Sequence, residues 1–225
     1  IERTGGQWRI TAPLQAPANP MRAGALTRIA AAGVNRSYAL EDISLDALGL
    51  NTQAIVLRLD GQRFEIGGTE PLERLRYVRH KDRVYLVADT FLQHLEKTAH
   101  AFVDPSLLGV RPEVVSITTA NISAKRGNSG WQWSPNDGLE SADQVTALVA
   151  DWQAASALRV EPFNEGALWR AAATLKLHSG KVFEFEQASR SKSVLLGLRS
   201  EGLQYRLPLQ IGQALLQFAP DPKQP

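Results

Sequence analysis

Residues 55–68 read IVLRLDGQRFEIGG, and residues 174–186 read TLKLHSGKVFEFE. Both alternate apolar and polar side chains, turn at a glycine and leave through Phe-Glu, the pattern of a half-buried β-hairpin. Gly61 aligns with Gly180, Phe64 with Phe183 and Glu65 with Glu184. Working outward, the same alignment sets Leu26, Ile29, Ala30 and Gly33 on Val145, Leu148, Val149 and Trp152. Each set falls at i, i+3, i+4 and i+7, one face of a helix. Further along, Tyr85 meets Tyr205 and Leu95 meets Leu215. One register, drifting by a single residue through a helix, two hairpins and a final helix, predicts an internal duplication.

In the first half, IERTGGQWRI (1–10) is expected to be a hairpin turning at Gly5-Gly6. APLQAPANP (12–20) reads as a Pro-rich connector. Asn19 as cap, Pro20 at the first position and Gly33 at the end predict a helix over 20–33. EDISLDALGL (41–50) reads as a short helix or turn, 74–88 as a second hairpin turning at 80–82, and 90–102 as a helix. The second half repeats this with a hairpin at 122–133, a connector at 134–140, and a helix opened by the capping box Ser141…Gln144. VVSITTA (114–120) adds a strand before Ile122. A matching strand is therefore expected just upstream of Ile1.

Strands grouped in hairpins, with helices before and after, predict an α+β class. The expected architecture is two tandem copies of a hairpin–helix–hairpin–hairpin–helix unit, antiparallel sheets with helices on one face. The first repeat is placed at 1–104, a linker at 105–113, the second repeat at 114–219 and a loose tail at 220–225.

With 225 residues, 44% hydrophobic and 21% charged, the chain can bury a substantial core. A net charge of +2, without a Lys/Arg run, argues against nucleic acid as a partner. The absence of cysteine excludes disulfides, thiolate metal sites and a Cys nucleophile, and suits a bacterial envelope protein. No stretch reaches the roughly 18 apolar residues of a membrane span.

The residues that carry chemistry read as scaffold. His80 and His178 fall in hairpin turns, and His94 and His100 on one helix do not share a face, so no metal site is expected. Asp42 and Asp46 stand four apart beside Glu41, a spacing that could serve acid–base work but also suits acids at a helix start. Glu65 and Glu184 recur at equivalent hairpin positions, which predicts an exposed strand site. GGTEP (67–71) lacks the Lys-Ser/Thr of a phosphate loop and reads as a turn. Asn35-Arg36-Ser37 and Asn121-Ile122-Ser123 fit the glycosylation triplet, and neither is assigned a role. No nucleophile elbow is present. No catalytic, cofactor or metal residue is therefore expected, and no enzymatic activity.

Trp8, Trp131 and Trp152 are expected in the core, while Trp133 and Trp169 are open to either core or surface. Arg74, Arg76, Arg79 and Arg83 alternate with apolar residues. They read as a solvated sheet face, with a basic stripe for an acidic partner or anionic headgroups as the alternative.

The segment DGQRFEIGGTEPLERLRYVRHKDRVYLVADTFLQHL (60–95), with LGLN (48–51) before it and VDPSLL (103–108) after it, resembles the bacterial domain-of-unknown-function family 4340. The resemblance covers most of residues 1–110 and, more faintly, the second half. Asn51-Thr52-Gln53 departs from the family by lacking a proline soon after Gly-Leu. The resemblance implies an N-terminal membrane helix or lipoprotein-like anchor and a domain outside the cytoplasmic membrane. It also implies genes that accompany ATP-binding-cassette (ABC) transporters with gliding-motility-like auxiliary components. The family brings no catalytic residues to carry over.

Together these readings predict a non-enzymatic, membrane-tethered domain at the periplasmic face of the inner membrane, with a protein partner in an ABC-type envelope transport system. The alternative is a module that binds a glycan or lipid fragment in a cleft between the repeats.

Overall fold

The computed structural model describes residues 1–51, 54–90, 95, 97–135, 141–190 and 192–216. The chain divides into two compact units, one of Ile1–Asn19 with Ala99–Pro225 and one of Pro20–Thr98. The sequence had suggested a boundary at 105–113 instead.

The chain begins with a small antiparallel sheet, β1 (Glu2–Thr4), β2 (Gln7–Ile10) and β3 (Ala16–Pro17). Ile10 and Ala16 are its buried members.

The Pro20–Thr98 unit opens with α1 (Pro20–Thr27), which tightens into a 3₁₀ turn over Arg28–Ala31. The helix expected to reach Gly33 thus ends early, because the chain must turn back into β4 (Val34–Ala39). Its buried residues are Ala23, Ala25 and Ile29, while Ala30 and Gly33 face solvent. The opening hairpin forms β5 (Ile55–Leu59) and β6 (Gln62–Thr69), and Asp60 and Gly61 turn it with φ of 46° and 77°. Two successive positive φ values give the turn twist that matches the strands. β7 (Leu75–His80) and β8 (Arg83–Ala88) complete a five-stranded sheet in the order β4-β8-β7-β6-β5. Ile29, Ile66, Val78 and Val87 form its core, with Phe64, Tyr85 and Leu95 packed around them. Of the helix expected over 90–102, residues 91–94 and 96 lie outside the described residues, and Ala99–Phe102 is a 3₁₀ turn.

The other unit is built on an eight-stranded antiparallel sheet. Its strands are β9 (Val114–Thr119), β10 (Ser123–Gly127), β11 (Gly130–Ser134), β12 (Arg159–Pro162), β13 (Arg170–Leu177), β14 (Val182–Arg190), β15 (Ser193–Leu198) and β16 (Leu203–Pro208). Their order is β11-β10-β9-β13-β14-β15-β16-β12. Two helices pack on it, α2 (Ala142–Ala154) and α3 (Leu209–Leu216). The capping box forms as expected: Ser141 Oγ accepts from the Gln144 amide at 3.2 Å and Gln144 Oε1 from the Ser141 amide at 2.7 Å. Val145, Leu148, Val149 and Trp152 are the buried face of α2.

The fold is largely β, with 45% strand against 22% helix, and this corrects the α+β reading of tandem hairpin–helix units. Among the described residues the three bounded helices are short, 8, 13 and 8 residues, and α2 and α3 pack on the large sheet instead of forming a layer of their own. The decisive strand is β9, which pairs with β10 through Thr118↔Ser123 and with β13 through Thr118↔Thr174. That pairing joins a local hairpin to a distant meander, and two separate small sheets become one. Within it, the run β12-β16-β15-β14-β13 follows the same winding as β4-β8-β7-β6-β5. The tail expected at 220–225 lies outside the described residues.

A polar groove on the large sheet

On one face of the eight-stranded sheet, strand alternation sets hydroxyls side by side. Ser123, Thr118, Thr174 and Glu184 form one cross-strand row through successive pairs of β10, β9, β13 and β14. Thr118 Oγ1 and Ser123 Oγ share a 3.1 Å hydrogen bond. Their apolar neighbours Ile117, Leu175 and Phe185 point to the buried face, because successive side chains alternate. A register shift between Ala171 and Ala173 interrupts the β13–β14 pairing beside this row. A groove of about 740 Å³ opens there, between Thr118, Thr174 and Glu184 on one side and Glu186, Arg199 and Ser200 on the other.

The second wall is held by a charge cluster. Arg199 Nε and Nη2 donate to the two carboxylate oxygens of Glu186 at 2.8 and 3.0 Å, and Nη1 pairs with Glu165. The guanidinium lies 4.5 Å above the Phe163 ring, and Phe163 stacks on Trp169 with centroids 4.7 Å apart. Gly197 makes this stack possible, since a Cβ there would sit 2.5 Å from Phe163 and 2.9 Å from Trp169. The Trp169 indole donates to the Asn164 carbonyl at 2.8 Å. The hydrogen bonds from Arg199 hold the Glu186 carboxyl below its ordinary range. Donating to Glu186, first, and to Glu165 raises the Arg199 pKa above its ordinary value.

Behind the stack, burial alone would raise Glu161, but hydrogen bonds from Arg206 and Gln204 outweigh it and its pKa falls. Arg206 reaches both Glu161 oxygens, and Gln204 donates at 2.9 Å. Glu184 is different, because it is exposed and has no ion-pair partner among the described residues.

The residues singled out in the sequence scatter. His80 stacks on Phe64 at 4.5 Å and donates from Nδ1 to the Arg63 carbonyl at 3.0 Å. His178 is exposed at the β13–β14 turn, His100 is half-buried in a 3₁₀ turn, and His94 lies outside the described residues. No group of three or more metal-ligating side chains occurs among the described residues. Glu41 and Asp42 sit exposed in the 3₁₀ turn Leu40–Asp42, and Asp46 accepts from Asn51 at 2.7 Å. Glu65 is drawn in by two arginines to 15% side-chain exposure, so it is not the open strand position expected of it.

Trp152 is fully buried, whereas Trp8 and Trp131 are only half-buried. Trp8 carries Arg3 at 5.8 Å from its ring. The four arginines form no stripe. Arg74 lies just before β7 with φ 55°, Arg83 binds Ser37, and Arg76 and Arg79 stand an odd number of residues apart on opposite faces of β7. Of the groove, the sequence had singled out Glu184 and, as core or surface, Trp169. Arg199, Glu165 and Glu186 meet only through the tertiary fold.

The molecule is thus a largely antiparallel β protein with a solvent-open polar groove on the face of its larger sheet. The chain belongs to the family described as Domain of unknown function (DUF4340), whose match covers residues 8–167, more than half of the chain. Thr118 and Glu165 fall inside that match, while Thr174, Glu184, Glu186 and Arg199 lie beyond it. No curated protein and no solved structure matches.

Proposed function

We propose that this chain is a non-enzymatic interaction domain of the bacterial cell envelope, which engages a protein partner through the groove on β9, β13 and β14. The observation that carries the reading is the arrangement of that groove. It joins a row of hydroxyls and the unpaired Glu184 to an arginine already fixed by two carboxylates and an aromatic stack. Side chains fixed in advance lose less conformational freedom on binding. The family resemblance adds the setting, an anchored domain outside the inner membrane that is accessory to an ABC-type transporter. No helix among the described residues is long and apolar enough to cross a membrane, so membrane attachment in this reading comes from a segment outside them.

The test is site-directed photocrosslinking of the full-length protein in its native membranes. A crosslinking residue at Thr174 is expected to capture a transporter permease or auxiliary subunit, and one at exposed Gln213 is not. Identical products from both positions, or only the protein itself, would overturn the partner reading.

A second reading places a glycan or lipid fragment in the same groove. The volume suits a small ligand, and a sugar could donate hydroxyls to Glu184 while accepting from Thr118 and Thr174. Chemical-shift changes confined to these residues on adding envelope glycans would favour it.

A further inference from the structure

A second polar recess lies in the Pro20–Thr98 unit, where the β5–β6 and β7–β8 turns sit at the same end of the five-stranded sheet. It encloses about 250 Å³ and is lined by Gln62, Arg63, Glu65, Arg79, His80 and Lys81. One half-buried carboxylate organises it. Glu65 stands directly across from Arg79 and two residues from Arg63 on the same face. It accepts from Arg63 Nε at 2.8 Å through Oε1 and from Arg79 Nη1 at 3.2 Å through Oε2. Without Glu65 the two guanidiniums would repel one another; with it they are held side by side.

Each arginine spends one nitrogen on Glu65. Arg63 keeps Nη1 and Nη2, and Arg79 keeps Nε and Nη2, with no partner among the described residues. Lys81, held in the turn at φ 54°, adds a third cation at the rim. His80 ties the two hairpins together through the Arg63 carbonyl. The turn carboxylates Asp60 and Asp82 do not line the recess. Three cations against one carboxylate leave a local charge of about +2, concentrated in a small space.

We propose that this recess is a phosphate site, in which Arg63, Arg79 and Lys81 bind a phosphate group through the nitrogens that Glu65 leaves open. Planar guanidinium forks suit the oxygens of a phosphate, and a compact ammonium completes the approach from the turn. The tetrahedral group offers acceptors in three directions, matching three donors that come from two strands and a turn. The phosphate could belong to an anionic lipid headgroup or to a free phosphate-bearing ligand, and the recess recognises the chemistry they share. This inference concerns the other unit and stands whether or not the groove binds a partner.

The experiment uses the whole chain, its Arg63→Gln/Arg79→Gln variant, and an Arg111→Gln/Lys192→Gln control that removes the same charge from exposed positions elsewhere. All three are first checked for the same cooperative melt. Inorganic phosphate is titrated while amide shifts are followed. In parallel, the proteins are floated with phosphatidylcholine vesicles, with and without phosphatidylglycerol. At about 1 kcal/mol per cation near an anionic surface, losing two should weaken vesicle binding roughly thirtyfold, with the control little changed. Selective loss in both arms assigns the site to a lipid headgroup. Selective loss with phosphate alone assigns it to a free phosphate ligand. If neither arm binds, or if the control loses as much as the variant, the proposal is overturned.

Discussion

The indole Nε1 of Trp152, at the end of α2, donates a 3.0 Å hydrogen bond to the backbone carbonyl of Leu215 in the last turn of α3. The ring also lies 5.3 Å from Phe185 of β14, so one side chain ties both helices to the large sheet. It is fully buried. Trp152→Ala is expected to cost about 3–5 kcal/mol of unfolding free energy. Trp152→Phe keeps most of the packing but leaves the Leu215 carbonyl unpaired, at a cost of about 1–3 kcal/mol. Urea denaturation of the pair separates packing from hydrogen bonding. Equal stabilities for wild type and the alanine variant would contradict the burial.

Gly197 is expected to tolerate no side chain. Its Cβ would meet Phe163 and Trp169, so Gly197→Ala must push the aromatic pair off the sheet. Overpacking of this kind costs about 1–3 kcal/mol. The displacement should also free Arg199 from the Phe163 face. Tryptophan fluorescence measured in wild type and in a Trp169→Phe background would assign the spectral change to this stack.

Arg76 and Arg36 test how far burial decides the worth of an ion pair. Arg76 is 10% exposed, binds Asp89 through Nε at 3.0 Å and Nη2 at 2.5 Å, and donates to the Gly67 carbonyl at 2.8 Å. Arg76→Ala leaves a shielded carboxylate and a bare carbonyl, and should cost about 3 kcal/mol. Arg36 pairs with Glu73 at 2.9 Å, with both side chains about half exposed. Arg36→Ala should leave the stability close to that of the wild type, because solvent screens an exposed pair. Thermal melts of the two variants are expected to differ by several degrees.

Glu161 and Glu186 both have folded pKa values below the ordinary carboxylate range, set by Arg206 with Gln204 and by Arg199. A carboxylate shifted this way stabilises the fold above its unfolded pKa of about 4.3, and the contribution is lost as pH falls through the folded value. Glu161→Gln should therefore destabilise by about 1 kcal/mol at neutral pH and by progressively less in acid. Unfolding curves from pH 7 down to about pH 3 are the check. A constant difference across the range would mean that the packing of Glu161, not its charge, matters.

Local elements were legible where a short-range rule settles them. The Asp60-Gly61 turn, the Ser141–Gln144 capping box and the buried face Val145–Leu148–Val149–Trp152 all occur where the pattern puts them. The first helix misled because its pattern continues past Thr27, while the chain must reverse into β4. Glu65 misled because alternation places it on an outer face but cannot show two arginines closing over it.

The sequence by itself determined the hairpins, their turns and the cap and face of α2, since each rests on residues only a few positions apart. It also supplied the family resemblance. Only the tertiary structure decided the class of fold and the sites. Whether β9 pairs with β10 alone or also with β13 is a choice between distant partners, and alternation along a strand carries no information about it. Arg199 meets Glu165 and Glu186 across 34 and 13 residues, and the Glu65 clamp needs β6 and β7 in one register. Those contacts form because burying the apolar faces of the sheets sets the strand order, and the polar residues on the opposite faces are carried to wherever that order leaves them.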